Sequence, residues 1–277
     1  AGFHPEALKS QAVVARTYAF QHLYRHAADG YHLCDGIHCQ GYLGYDIEKE
    51  RTNSAVDATR GEVALYEGRP IYAVYSSDCG GHTQNNEDGA VGKTPWPYLR
   101  AVPDRDGDGP DFCNGDRQHI WSRTFPASEL QRLLDRSALT KVGELQELRF
   151  LDFDASGRVK TVELIGSVEV KWISGNQFRQ ILGTERLPST LMALTCLSDG
   201  SYRVDGRGFG HGVGFCQYGA NGMATSPKGY TYKDILAHYY RGVQVGLYPG
   251  PPELRQNASR SDSSSSLTSP RPGMQKF

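Results

Sequence analysis

Residues 26–39 gather the side chains best suited to holding a metal. Cys34, His38 and Cys39 fall within six positions, with His26 and His32 close by. Thiolate and imidazole are the donors of tetrahedral zinc, and one short stretch can supply three or four of them. The spacing C-x3-H-C is not that of a familiar finger. On spacing alone the alternatives stay open: a Cys34–Cys39 disulfide, or two free thiols beside surface histidines. A second candidate is GRGFGHGVGFCQYGA, residues 206–220, where glycines at 206, 208, 210, 212 and 214 alternate with other residues. Such a run lets the backbone approach a partner closely or turn with positive φ. It lacks the Gly-Lys-Ser/Thr of a phosphate loop. His211 and Tyr218 are the polar groups it could present to a ligand; the alternative is a tight turn with an incidental histidine.

Two weaker constellations remain. Asp104–Gly109 spells D-x-D-x-D-G, the first half of a calcium loop, but the twelfth position is Gly115 where a bidentate Glu is needed. Calcium is therefore not expected, and a solvated acidic turn is. Lys9 and Arg16 lie seven apart, on nearly one side of a helix. Two cations there could bind a carboxylate or stabilise an oxyanion, or be only a solvated face.

The elements that must position these groups are partly visible. From Glu6 to about His26, Leu8, Ala12, Ala15, Ala19 and Leu23 recur at spacings of three and four, one apolar helix face. Asn53–Gly61 predicts a helix capped by Asn53 or Ser54. Glu62–Tyr66 and Ile71–Tyr75 flank EGRP, a hairpin signal. Residues 125–204 differ in texture. A helix from Ser128 precedes two strands around Asp-Ala-Ser-Gly, a third strand in VEVKWIS, and a helix over NQFRQILG capped by Ser174. The fold class expected is α+β, with a β-rich module at 125–204 inserted between a first half, 1–124, and a second half, 205–248, that carries the glycine loop and a closing helix. From about Pro249 the Ser/Pro-rich text predicts a disordered tail, 249–277.

Composition excludes several classes. Among 277 residues, 30 are basic and 31 acidic, a formal charge of −1, so no global field gathers nucleic acid. No apolar run approaches the roughly 18 residues of a membrane span. Six cysteines are too few for a disulfide-dense scaffold. Pro5 already stands in the first turn of a helix, so the chain is expected to be a fragment whose upstream part, including any export signal or anchor, precedes Ala1.

Six strings in order, HPEALKSQAVVARTYAF, HCQGYLG, SSDCGGHTQ, WPYLRAVPD, SGNQFRQILG and GRGFGHGVGFCQYGANGMA, span His4 to about Gly242. Together they resemble the stage II sporulation protein D (SpoIID) family, which includes the LytB amidase-enhancer domain. The resemblance implies a bacterial protein of the cell envelope or exterior that acts on peptidoglycan, and a two-part fold in which a helix and the Gly-rich loop line a glycan cleft. It implies a lytic transglycosylase, cleaving peptide-stripped strands between N-acetylmuramic acid and N-acetylglucosamine to a 1,6-anhydro product. That reaction needs one carboxylic acid, which protonates the glycosidic oxygen and then, as carboxylate, accepts the proton of the muramic 6-hydroxyl as it closes on C1. The family's acid, a Glu in a Ser-Glu-Met-Pro-like stretch, would lie just upstream of Ala1; Glu6 belongs to the PEALK motif and is not that residue.

By the same resemblance Lys9 and Arg16 support catalysis from the helix after the acid, together with Tyr218. His211 and Gln217, with Gly210 and Gly212, form the opposite, substrate-binding wall. Cys34, His38 and Cys39 match a structural zinc site, with His26 as fourth ligand and His32 as its rival. A cell-wall amidase is the expected protein partner, and a binding module that stimulates such an amidase without catalysis is the alternative function. A zinc hydrolase would require an open coordination position.

Overall fold

The computed structural model describes residues 2–36 and 38–250. Its first helix, α1 (Pro5–Gln21), begins where Pro5 needs no amide partner and His4 Nδ1 accepts the Glu6 amide at 3.3 Å. The face it buries is not the expected one. Ala7, Ser10, Val13, Val14, Thr17 and Tyr18 turn inward, whereas Leu8, Ala12, Ala15 and Ala19 are only half-buried. The cause is local bonding. Ser10 Oγ donates to the Ala7 carbonyl at 2.8 Å and Thr17 Oγ1 to that of Val13 at 2.6 Å, so both hydroxyls enter the core satisfied. Thr17 Oγ1 also accepts the Ala64 amide at 2.9 Å, pinning α1 to the first strand.

The next helix, α2 (Glu50–Ala58), starts three residues before the expected cap, with Lys49 at the N-cap. Strand β1 (Glu62–Tyr66) then turns at Glu67 and Gly68, both with positive φ, into the two-residue strand β2 (Arg69–Pro70). The hairpin is shorter than expected. After an Ile71 amide bond to the Ala64 carbonyl, the chain leaves the ladder, and only β3 (Tyr75–Ser76) is strand again.

Residues 120–207 build two further sheets. Strand β4 (Ile120–Phe125) leads into α3 (Ala127–Leu134). The antiparallel meander β5 (Leu145–Phe153), β6 (Val159–Gly166) and β7 (Val170–Ser174) follows the expected pattern, with its turn at Asp154–Gly157. Ser174 closes a capping box with Gln177 on α4 (Gly175–Leu182). Strands β8 (Met192–Cys196) and β9 (Tyr202–Arg207) complete a three-stranded sheet with β4, in the order β4-β9-β8. A hydrophobic cluster from Trp121 to Val204, centred on Leu130, Leu134, Val162, Leu164 and Phe178, lies inside this segment.

The chain then returns to the first half. Strand β10 (Phe215–Cys216) pairs in parallel with β3, and α5 (Gln217–Thr225), α6 (Tyr232–Tyr239) and β11 (Gln244–Leu247) follow. Strand β11 lies beside β1 in the order β11-β1-β2. Helices α5 and α6 pack on α1 around a second cluster that includes Val13, Val14, Ile71, Phe215, Ala220, Ile235 and Tyr239. The architecture is α+β. Among the described residues no helix is long and apolar enough to cross a membrane. The tail expected from Pro249 lies, beyond Gly250, outside the described residues.

Candidate functional site

Two cavities share a wall made of Ala90, Gly92 and His211. One, of about 430 Å³, is lined by Tyr18 of α1, by Cys39, Gln40 and Gly41, and by Tyr72 and Tyr75. The other, of about 410 Å³, is lined by Gln84, Asp88, Lys93, Lys160 and Arg179 among others. Together they form a groove with aromatic rings at one end and cations at the other, and His211 at the junction.

The aromatic end is a packed wall. The Tyr18 ring stacks on His22 with centroids 3.9 Å apart, His22 lies 4.8 Å from Tyr72, and Tyr72 lies 4.7 Å from Trp96. Rings held by one another lose little freedom on binding a ligand, and their faces suit the apolar faces of sugars. Gln40 ties this wall together, donating to the Ala15 carbonyl at 3.1 Å and accepting from Tyr75 Oη at 2.9 Å. None of Tyr18, Tyr72, Tyr75 or Gln40 stood out in the sequence. The recurrence of Tyr in IYAVY and the Gln after HC were the signals available.

His211 Nδ1 accepts the Val213 amide at 3.0 Å. Burial pushes this imidazole down to about 4, with the nearby Arg179 and Arg158 charges acting in the same direction. It is therefore neutral at pH 7, a hydrogen-bonding group and not a cation. Gly210 lines the cationic cavity, and a side chain there would press on Ser76. Gly212 faces elsewhere: a Cβ would collide with the Arg158 guanidinium, so its glycine answers to the interior and not to a ligand.

Other expected residues are placed differently. Lys9 and Arg16 line neither cavity. Lys9 pairs with Glu6 at 2.7 Å, its ammonium 5.8 Å from the Tyr232 ring centroid. Arg16 is spent on backbone, with Nη1 donating to the carbonyls of Thr59 at 2.8 Å and Glu62 at 2.7 Å, where it closes the end of α2 and holds the start of β1. Arg16→Ala is accordingly expected to cost about 2–3 kcal/mol of unfolding free energy in urea melts, since two charge-assisted bonds to half-buried carbonyls are lost. A variant whose melt is unchanged would free Arg16 from this structural role.

Gln217 and Tyr218 stand at the N-terminal end of α1. Gln217 Nε2 lies 3.2 Å from Gln11 Oε1, and the Tyr218 ring meets Phe3 edge-on at 5.1 Å. The segment Tyr75–Ser77 links this end to the groove, because Tyr75 lines the aromatic cavity and the Ser77 carbonyl accepts the Tyr218 amide at 3.0 Å. Glu6 is held as a carboxylate. Burial opposes its ionisation, but Lys9 and the Tyr232 amide, 2.8 Å from Oε2, bring its carboxyl below the usual range, the wrong direction for a general acid. Asp88, the one carboxylate lining either cavity, pairs with Lys160 at 3.3 Å.

The histidine and cysteine stretch does converge. One donor atom from each of His26, Cys34, His38 and Cys39 lies within 4.8 Å of the others. Cys39 Sγ is 3.4 Å from His26 Nε2 and 3.7 Å from His38 Nδ1, and Cys34 Sγ is 3.7 Å from His38 Nδ1. Zinc bonds of about 2.3 Å to sulfur and 2.0–2.1 Å to nitrogen give a tetrahedral S–N edge of about 3.6 Å, so the donors fit the ion. Contact with Cys39 also holds the Cys34 thiol below its ordinary range, towards the thiolate a metal needs. Four protein donors would close the tetrahedron, leaving a cross-link and no position for water. His32 is not in the group: its Nδ1 accepts the Tyr24 amide at 3.3 Å, and its ring packs on Tyr24. Of the acidic loop only Asp104 is buried, its Oδ2 accepting the Cys113 amide, while Asp106 meets Tyr230 and Lys228 nearer the surface and Asp108 is exposed.

Comparison with known proteins adds the family. Residues 1–66 match the family described as Stage II sporulation protein, and residues 111–214 match a Domain of unknown function (DUF8618). An uncharacterized protein of Brachyspira hyodysenteriae is 32% identical over 244 residues, covering 88% of this chain and 62% of that protein. Stage II sporulation protein D of Bacillus amyloliquefaciens is 30% identical over 260 residues, covering 88% of this chain and 69% of the relative. The Amidase enhancer of Bacillus subtilis is 28% identical over 291 residues, with 88% of this chain but 38% of the relative covered. The chain thus spans between about two fifths and seven tenths of these relatives.

Proposed function

The chain belongs to the stage II sporulation protein D family, and from that premise we propose that it works in the bacterial cell wall as a peptidoglycan lytic transglycosylase, its acid supplied by a Glu that precedes Ala1. The observation that carries this reading is the groove around His211. Its tyrosine end suits the faces of amino sugars. Its other end offers Lys93, Lys160 and Arg179. On a peptide-stripped strand each muramic lactyl group is a free carboxylate, and Lys93 would pair with it, joined by the charge of Arg179, whose Nε and Nη2 are held by the Leu187 and Pro188 carbonyls; a stem peptide removes the carboxylate charge. The neutral His211, held by the Val213 amide and the Tyr75 backbone, would supply a fixed wall between the two ends.

The acid would arrive along the chain before Phe3, beside Tyr218, where Tyr75–Ser77 leads on to the groove. It would protonate the glycosidic oxygen and then take the proton of the 6-hydroxyl as that oxygen closes on C1, so one carboxyl suffices. A zinc ion at His26, Cys34, His38 and Cys39 would brace the wall to which Cys39 and Gln40 belong. An envelope or extracellular location follows from such a substrate.

The second reading, a glycan-holding module that stimulates a cell-wall amidase, draws on the name of the B. subtilis relative and on the ion pairing of Asp88. One experiment separates the two. This chain and a form extended upstream by roughly 20 residues, enough to include the helix entrance, are incubated with peptide-stripped glycan, and products are searched by mass spectrometry for 1,6-anhydro ends. The expected result is anhydro product from the extended form alone, with His211→Ala weakening glycan binding by both forms about tenfold as the wall shared by the two cavities is lost. Intact glycan from both, with binding retained, would replace the enzyme by the amidase-stimulating module.

A further inference from the structure

A second thiol cluster lies in the core, apart from the groove and from the histidine and cysteine loop. Cys79 follows β3, Cys113 lies on a short turn at Phe112–Gly115, and Cys216 caps α5. All three are fully buried, and Asp78 is 1% exposed. Nothing local joins them, since they are 34 and 103 residues apart in the chain, yet one donor atom from each of Asp78, Cys79, Cys113 and Cys216 lies within 4.8 Å of the others. We propose that these four side chains form a second metal site, a three-thiolate, one-carboxylate centre for a zinc-class divalent ion that ties the CGG turn, the 112–115 turn and α5 together.

Three observations support it. First, the spacing suits the ion. Cys79 Sγ and Cys113 Sγ are 3.9 Å apart, and two zinc–sulfur bonds of about 2.3 Å at the tetrahedral angle span about 3.8 Å. A disulfide would use two sulfurs and leave the third, with the carboxylate, unexplained. Second, the donors are oriented as metal ligands are. Cys216 Sγ receives the amides of Cys79 at 3.2 Å and Gly219 at 3.3 Å, the latter at the start of α5, so its sulfur is fixed in place. Asp78 Oδ1 accepts the Gly80 amide at 2.7 Å, and its Oδ2 is 3.0 Å from His119 Nδ1, whose other nitrogen faces Arg207 Nη2 at 3.0 Å. A histidine thus braces a ligating carboxylate from the outer shell.

Third, a buried counter-charge is at hand. Arg158 is fully buried without an ion-pair partner among the described residues, and its Nη2 donates to the Cys79 carbonyl at 2.6 Å. A buried cation needs a counter-charge. Three thiolates and a carboxylate around a dication carry two negative charges, one of which Arg158 offsets. Binding would release three thiol protons and change no oxidation state.

The test uses this chain with Cys34→Ser and Cys39→Ser, which remove donors of the first cluster, purified without oxygen or added metal. The expected content is one zinc ion per chain by plasma mass spectrometry, with three sulfur neighbours and one lighter neighbour in the zinc-edge X-ray absorption spectrum. Adding Cys113→Ser should lower the content from one ion to none. If that variant fails to fold, the absorption spectrum of its parent decides alone. If the parent fails, the unaltered chain should carry two ions averaging more than two sulfur neighbours each. Three free thiols without metal, or a chain two hydrogens lighter through a Cys79–Cys113 disulfide, would overturn the proposal.

Discussion

Replacing Cys39 by serine, or holding the protein in a strong zinc chelator, is expected to free residues 22–47 from the body of the protein while the rest stays folded. The reason is how little else holds that stretch. Among the described residues from Ala27 to Ile47 only Cys39 is buried, and Tyr42, Leu43, Tyr45 and Ile47 all point to solvent. Its described side-chain ties to the body are Gln40, bonded to α1 and Tyr75, His22, whose ring meets Tyr18 and Tyr72, and Arg25, whose Nη1 reaches Tyr18 Oη at 3.4 Å. A segment without a core cannot offset its ordering entropy. Structural zinc contributes on the order of 10–16 kcal/mol of apparent binding free energy in small zinc domains, where binding and folding are one event. Limited proteolysis should cut this stretch at least a hundredfold faster after chelation, and glycan affinity should fall about tenfold, because Cys39, Gln40 and Gly41 leave the groove wall. Since the ligands must be deprotonated, mild acid should release the metal and have the same effect. An unchanged digestion pattern in chelator would show that the loop stands without a metal.

How far the sequence reached depended on locality. The meander 145–174 and its capped helix were legible because strand alternation, an Asp-Ala-Ser-Gly turn and a Ser cap are written within neighbouring residues. Cys34, His38 and Cys39 were legible as neighbours in the same way, while His26 was singled out over His32 only by the family resemblance. The groove was not, since Tyr18, Tyr72, Gln84, Lys160 and His211 arrive from five segments. Helix α5 was hidden by its glycines, which argue against helix. The fold needs them: side chains at Gly219 and Gly222 would strike Tyr239 Oη, the Asp104 carboxylate and the Phe112 carbonyl. The inward face of α1 was misread for the opposite reason, because Ser10 and Thr17 looked polar and return their hydroxyls to their own helix. Lys9 and Arg16 had the right types and spacing for a ligand, but Glu6 and the end of α2 claim them first.

Gly212 faces the interior one residue after His211, and Gly212→Ala should be among the most damaging single changes in the chain, costing about 3–5 kcal/mol. Its φ of +71° would strain any L side chain, a term of about 1–2 kcal/mol. The larger part comes from Arg158, whose guanidinium occupies the space a Cβ would take. That group cannot move aside freely, because it donates to the carbonyls of Cys79 and His82 and to Ser156 Oγ, joining the start of β6 to the CGG turn. Displaced, it would leave a buried charge and two carbonyls unpaired. A double-mutant cycle isolates this. In an Arg158→Met background, itself destabilised, Gly212→Ala should cost only the backbone strain, so the two changes together cost about 1–3 kcal/mol less than their sum. The Gly212 carbonyl accepts the Gln84 amide at 2.8 Å, and Val213 donates to His211, so glycan affinity should fall with stability in the single variant. Additive costs in urea melts would mean that the guanidinium yields without loss, and that Gly212 is fixed by its φ alone.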